Sequence, residues 1–155
     1  VDADTMLDWK TLITDANEAH HNHCYDDAIE LNRHALLLSK ENFDAIFISN
    51  DPEKAVALVL ISYLNMIDSH IAQSRFTSAQ LSFENIFDFL VNINKRPNKA
   101  DLQQVAIINA VQKLYIEWAL FLKKHSKSLT GPNEVWLKKL PTFISVLSNQ
   151  STQFH

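Results

Sequence analysis

The sequence predicts an all-α fold of six helices paired into three antiparallel hairpins, over about residues 5–42, 52–93 and 99–148 of a single domain. Three observations carry the prediction. The 155 residues include one glycine, Gly131. Phosphate-cradling loops, dinucleotide folds and primed β-hairpins each need several positions of positive φ or close backbone approach. Apolar residues also recur at intervals of three and four along most of the chain, the spacing of one helical face. Turn and capping residues fall where those intervals stop.

Composition agrees with a packed fold. The chain is 46% hydrophobic and 21% charged with no low-complexity tract, which separates it from disordered chains. A chain of this length hides roughly 70% of its unfolded surface, enough for a core without staples. The lone Cys24 has no internal disulfide partner, so the expected compartment is the cytoplasm. Val1 in place of methionine is compatible with a trimmed leader.

The elements follow in order. Thr5 with Asp8 resembles a capping box, and Leu7, Leu12, Ile13, Ala16 and Ala19 then give the first helix its apolar face. Asp26 and Asp27 occupy the expected first turn of the second helix, where carboxylates meet the positive end of the helix dipole. Ala28, Ile29, Leu31, Ala35, Leu36 and Leu38 continue it. Asp51-Pro52-Glu53 reads as cap, first helical position and favourable charge for a third helix at 52–73. That helix is apolar on most of its circumference and belongs in the middle of the core.

A turn at Ser74-Arg75 leads to a fourth helix carrying Ala79, Phe83, Ile86, Phe87 and Leu90, and 94–98 forms a loop. The fifth helix spans about 100–126 with a polar stripe at Asn109, Lys113 and Glu117. Gly131-Pro132 breaks the chain before a sixth helix with Trp136, Leu137 and Leu140, which Pro141 should kink or restart. Phe43–Ile48 is expected to cover the core between the first two hairpins, whether by extending helix two, as a short turn or as an extended segment.

The first two hairpins repeat. Aligning Tyr25-Asp26-Asp27-Ala28 with Phe76-Thr77-Ser78-Ala79 sets a period of 51 residues and superimposes an aromatic at the turn and a small alanine three residues on. Residues 9–42 fit a 34-residue helix–turn–helix unit, with Leu12, Ala16, Tyr25, Ala28 and Ala35 at its small or apolar positions. In these residues the chain resembles the tetratricopeptide repeat. Ala19 replaces an aromatic, no proline ends the first unit, residues 43–50 are inserted, and the third hairpin matches only in outline. The resemblance implies a right-handed stack whose first helices line a concave face that binds peptides or proteins. On that analogy Asn17, Asn65, Asp68 and Asn109 are the expected partner-binding residues.

Chemistry-bearing patterns are sparse. No H-E-x-x-H, G-x-S-x-G or phosphate-binding glycine loop occurs, and the two Glu-x-x-His motifs that a di-iron bundle needs are not both present, since only Glu18–His21 has that spacing. The expectation is a non-enzymatic scaffold or adaptor with no cofactor. The alternative is a small metal-binding protein. His20, His23 and Cys24 stand three and four apart, a spacing that shares a helical face, and imidazole and thiolate suit zinc, nickel or copper. Histidines at the ends of helices, here also His70 and His125, are equally explained by the helix dipole.

Charge is uneven. Residues 1–92 hold 5 Lys/Arg against 15 Asp/Glu, a balance of −10; residues 93–155 hold 9 against 3, a balance of +6, giving the total of −4. Homo-oligomerisation through these unequal halves is therefore a possible mode of assembly. Arginine, which reads bases and clamps phosphates, occurs only at Arg33, Arg75 and Arg96, so no nucleic-acid partner is expected. No uninterrupted apolar run reaches about 18 residues, so no membrane partner is expected either.

Overall fold

The computed structural model describes residues 3–49, 51–129 and 134–152. The described residues are helical almost throughout and contain no strand. They form α1 (Ala3–His21), α2 (Tyr25–Glu41), α3 (Phe43–Ile48), α4 (Pro52–Ala72), α5 (Phe76–Asn94), α6 (Asp101–His125) and α7 (Glu134–Thr152). The added element is α3, the segment expected to cover the core. It does so as a short helix packed on α4, burying Phe43, Ile46 and Phe47, with the two phenyl rings stacked at 4.9 Å.

The chain divides into two compact units, Val1–Ser82 and Phe83–His155. In the first, α2 packs against both α1 and α4. Trp9 Nε1 donates to Ser62 Oγ, and the His20 ring meets Ser69 Oγ, so α1 and α4 run parallel along one seam. Lys40 reaches Tyr63 while Asp26 reaches Arg75, so α2 runs antiparallel to α4. As its apolar circumference predicts, α4 lies at the centre of this unit, against α1, α2 and α3. Its start is built as expected. Pro52 needs no donor at the first helical position, and the Asp51 carboxylate accepts from the Lys54 amide.

Helix α1 begins earlier than predicted, at Ala3, so Thr5 lies inside the first turns and is not the cap. Its end closes in a Schellman turn: the His23 amide bonds to the His20 carbonyl and the Cys24 amide to the Ala19 carbonyl, with His23 at φ 62°. The end of α4 repeats this 51 residues later. The Ser74 amide bonds to Ile71, the Arg75 amide bonds to His70, and Ser74 sits at φ 57°. Chains usually place glycine at this left-handed position, but here histidine and serine occupy it. Ala28 and Ala79, the paired small residues after each turn, are completely buried.

In the second unit, α6 packs on α7. Its core is aromatic: Phe83 stacks on Trp118 at 5.5 Å and meets Phe121 at 5.2 Å, and Phe87 meets Phe143 edge-on at 5.3 Å. The loop before α6 is closed by Lys99, whose ammonium donates to the carbonyls of Asn94 and Arg96. The Gln103 side chain then accepts from the Ala100 amide to open α6. Helix α7 continues through Pro141, where a kink or a restart was expected, so the helix does not restart there, and Thr142 Oγ1 donates to the Lys138 carbonyl. The expected break at Gly131 and Pro132, and the side chains of Trp136 and Leu137, lie outside the described residues.

Candidate functional site

The α1–α4 seam brings two of the four expected partner-binding residues together. Asn65 Nδ2 lies 3.5 Å from Asn17 Oδ1, at the outer limit of a hydrogen bond. Asn17 and Asp68 are exposed and Asn65 is half-buried, and Asp68 stands three residues beyond Asn65 on α4. Asn109 is exposed on α6 and belongs to the second unit.

Beneath these amides lie two polar ties that sequence reasoning missed. Trp9 and Ser62 are both buried, and the indole N–H donates to the hydroxyl at 3.1 Å. Ser62 in turn donates to the Leu58 carbonyl. Ser69 is buried and lies 2.9 Å from His20 Nδ1. The available signal was the pair Ser62 and Ser69, seven residues apart on an otherwise apolar helix. That spacing returns to the same helical face after two turns.

The expectation that His20, His23 and Cys24 share a helical face is corrected by the turn. Helix α1 ends at His21, and His23 then takes a left-handed conformation. The i, i+3 and i, i+4 geometry therefore does not extend to His23 or Cys24. Instead the rings gather on Tyr25. His20 packs edge-on against it at 5.1 Å, and His23 Nδ1 lies 2.7 Å from its hydroxyl. Cys24 is exposed, with Sγ directed to the Asn22 carbonyl. Among the described residues, no three His, Cys, Asp or Glu side chains are grouped to hold a metal ion.

His70, expected only as a helix-end residue, is buried at the second turn, and its Nδ1 has no hydrogen-bond partner. Burial holds its pKa below the ordinary value, the Arg75 and Arg33 charges add to that, and Asp26 partly opposes it. A charge there has no partner to replace the water it loses.

Two open grooves accompany this framework. One, of about 440 Å³ in the first unit, is lined by Asp8, Thr11 and Leu12 of α1 and His34, Leu37, Leu38 and Glu41 of α2. The other, of about 520 Å³ in the second unit, has Phe87, Phe143 and Val146 as apolar lining and Lys138 and Lys139 as its charges. By length and composition, the spans Pro52–Ala72 and Asp101–Ser128 are long and apolar enough to cross a membrane. Ser62, Asn65 and Asp68 interrupt the first, so no uninterrupted apolar run is present, and 56% and 44% of the two windows are buried inside the protein, as in core helices.

The model of a family described as "Protein of unknown function (DUF2753)" matches residues 7–135, most of the chain. No curated protein and no solved structure matches it.

Proposed function

We propose that this chain, which belongs to the DUF2753 family, is a non-enzymatic module that binds a protein or peptide along the polar face shared by α1 and α4. The observation that carries the reading is the juxtaposition of the Asn17 and Asn65 amides above a buried, hydrogen-bonded seam. Each amide offers a carbonyl acceptor and two N–H donors, and the one long contact between them engages a single donor and a single acceptor. Asp68 adds a carboxylate on the same helix. Because the Trp9–Ser62 and His20–Ser69 contacts hold the two helices, a partner would not have to order this face on binding.

In this reading the chain is a divergent tetratricopeptide-like protein acting in the cytoplasm, and it needs no cofactor. The Schellman turn repeating after 51 residues and the parallel course of α1 and α4 support that kinship. Asn109, on α6 of the second unit, is an expected contact in its own right and no part of the α1–α4 face.

The test is selection of binding peptides from a displayed library, followed by fluorescence anisotropy with the selected peptides. Asn17→Arg/Asn65→Arg, which projects two bulky charges from the face, should weaken binding at least tenfold, about 1.4 kcal/mol. Circular dichroism should stay unchanged. Peptides that bind this variant as well as they bind the unaltered chain would refute the assignment.

A further inference from the structure

The groove between α1 and α2 has an acidic rim and an apolar floor. Asp8 and Glu41 stand on opposite walls, and Leu12, Leu37 and Leu38 lie between them. Leu37 is 58% exposed although it sits in the middle of this lining. Asp4 and Asp15, four before and seven after Asp8, continue the acidic edge along α1, and both are exposed. A groove between two helices accepts a helix whose side chains form a ridge. The complement sought is therefore a helical ridge with exposed aliphatic side chains followed by several cations.

The chain carries such a ridge itself. On α6, Ile116 and Leu120 are 55% and 61% exposed. Lys123 follows at an interval of three, beside Lys124, and both are exposed. Steps of four and three keep Ile116, Leu120 and Lys123 on one seam of the helix, and the exposed Lys127 lies just past its end, in the 3-10 turn Ser126–Ser128. Another basic feature, the groove at Lys138 and Lys139, is concave and lacks the shape to enter a second groove.

We propose that the α1–α2 groove is the docking site for a second copy of this chain, entered by the Ile116–Lys124 ridge of that copy's α6, with Lys127 just past the helix end. Ile116 and Leu120 cover Leu37 and Leu12, and Lys123, Lys124 and Lys127 face Asp8, Glu41 and the acidic edge of α1. The same pairing accounts for the division of charge into a −10 half and a +6 half. The contact is heterologous, one groove and one ridge per copy, so association generates a ring or a continuing chain of copies. It lies apart from Asn17 and Asn65, and it stands or falls independently of the partner-binding face.

Sedimentation velocity over micromolar to millimolar protein tests it. At about 0.1 M salt the weight-average mass should rise with concentration above the 17.8 kDa monomer. At about 1 M, where the Debye length shrinks from about 10 Å to 3 Å, the association constant should fall at least tenfold. Asp8→Lys/Glu41→Lys should be monomeric, and so should Lys123→Glu/Lys124→Glu/Lys127→Glu. An equimolar mixture of the two should associate again, because each supplies the charge the other has lost. Asn17→Arg/Asn65→Arg should associate as the unaltered chain does.

A monomer at every concentration in low salt overturns the proposal. So does association that survives either set of reversals, or reversals whose mixture stays monomeric. A monomeric chain whose groove instead captures a synthetic basic amphipathic peptide overturns it as well, and reassigns the groove to a foreign helix.

Discussion

Replacing Ser74 by glycine should stabilise the chain. Ser74 follows α4 at φ 57°, held there by its own amide bond to Ile71 and the Arg75 amide bond to His70. A Cβ in this left-handed region crowds the following carbonyl and costs about 1–2 kcal/mol. Glycine removes that cost and returns roughly 0.5–1 kcal/mol of it through the freer unfolded chain. The serine side chain is exposed, so no packing is lost, and the net gain is about 0.5–1 kcal/mol. For a chain of this size 1 kcal/mol moves Tm by about 2–4 °C, which thermal unfolding followed by circular dichroism resolves. Ser74→Val should lower Tm, because a β-branched residue is a genuine outlier at positive φ. A Ser74→Gly protein that melts at or below the unaltered chain would refute the reasoning and place the turn outside the left-handed region. Ser74 is the cleaner of the two sites, since the His23 ring also contacts Tyr25.

Two further predictions concern buried polar groups. Ser62→Ala leaves the buried Trp9 indole N–H without its acceptor and should cost about 1–3 kcal/mol, read as a lower urea midpoint; an unchanged midpoint would mean the tie contributes nothing. His70 should make stability fall on acidification: with its folded pKa held below 6.5 by burial first and then by Arg75 and Arg33, the unfolded chain binds the proton more readily. Stability from this group is therefore complete above about pH 6.5 and declines as pH falls from there to the lower folded pKa. Urea midpoints measured against pH should show a shallower acid decline in His70→Gln, and an identical decline in both proteins would remove His70 as its source.

The helices were legible because their signals are local. Asp51-Pro52 marks the start of α4 by a missing donor and a carboxylate, both properties of adjacent residues, and the structure uses both. The period of 51 was legible because a buried alanine permits close helix crossing, and Ala28 and Ala79 stand at equivalent positions. The Schellman turns were not legible, because glycine is their usual mark and the residues at these sites are His23 and Ser74. The scarcity of glycine argued against strands, and the described residues contain none, yet it did not remove positive φ from the chain: Asn98 adopts it too, at φ 58°. The seam between α1 and α4 depends on residues about 50 apart in sequence. No local periodicity could show which serine meets which ring, and the hairpin analogy named Asn17 and Asn65 without showing that they meet.

The His-Cys turn shows where spacing arguments fail physically. Three and four residues bring side chains together only while the backbone remains helical, and the helix here ends between His20 and His23. What repeats after 51 residues is the backbone of the turn, while its side chains have diverged. In the first turn His20 and His23 pack around Tyr25; at the second, Arg75 forms an exposed ion pair with Asp26 and lies near a buried His70. An exposed pair of that kind adds little stability, so the common hydrogen bonds, left-handed residue and buried alanine maintain the turn. The differing residues are then free to vary without loss of the scaffold. Function has to be sought in the groups that the repeat leaves unconstrained, above all the Asn17–Asn65 face and the separate charged groove between α1 and α2.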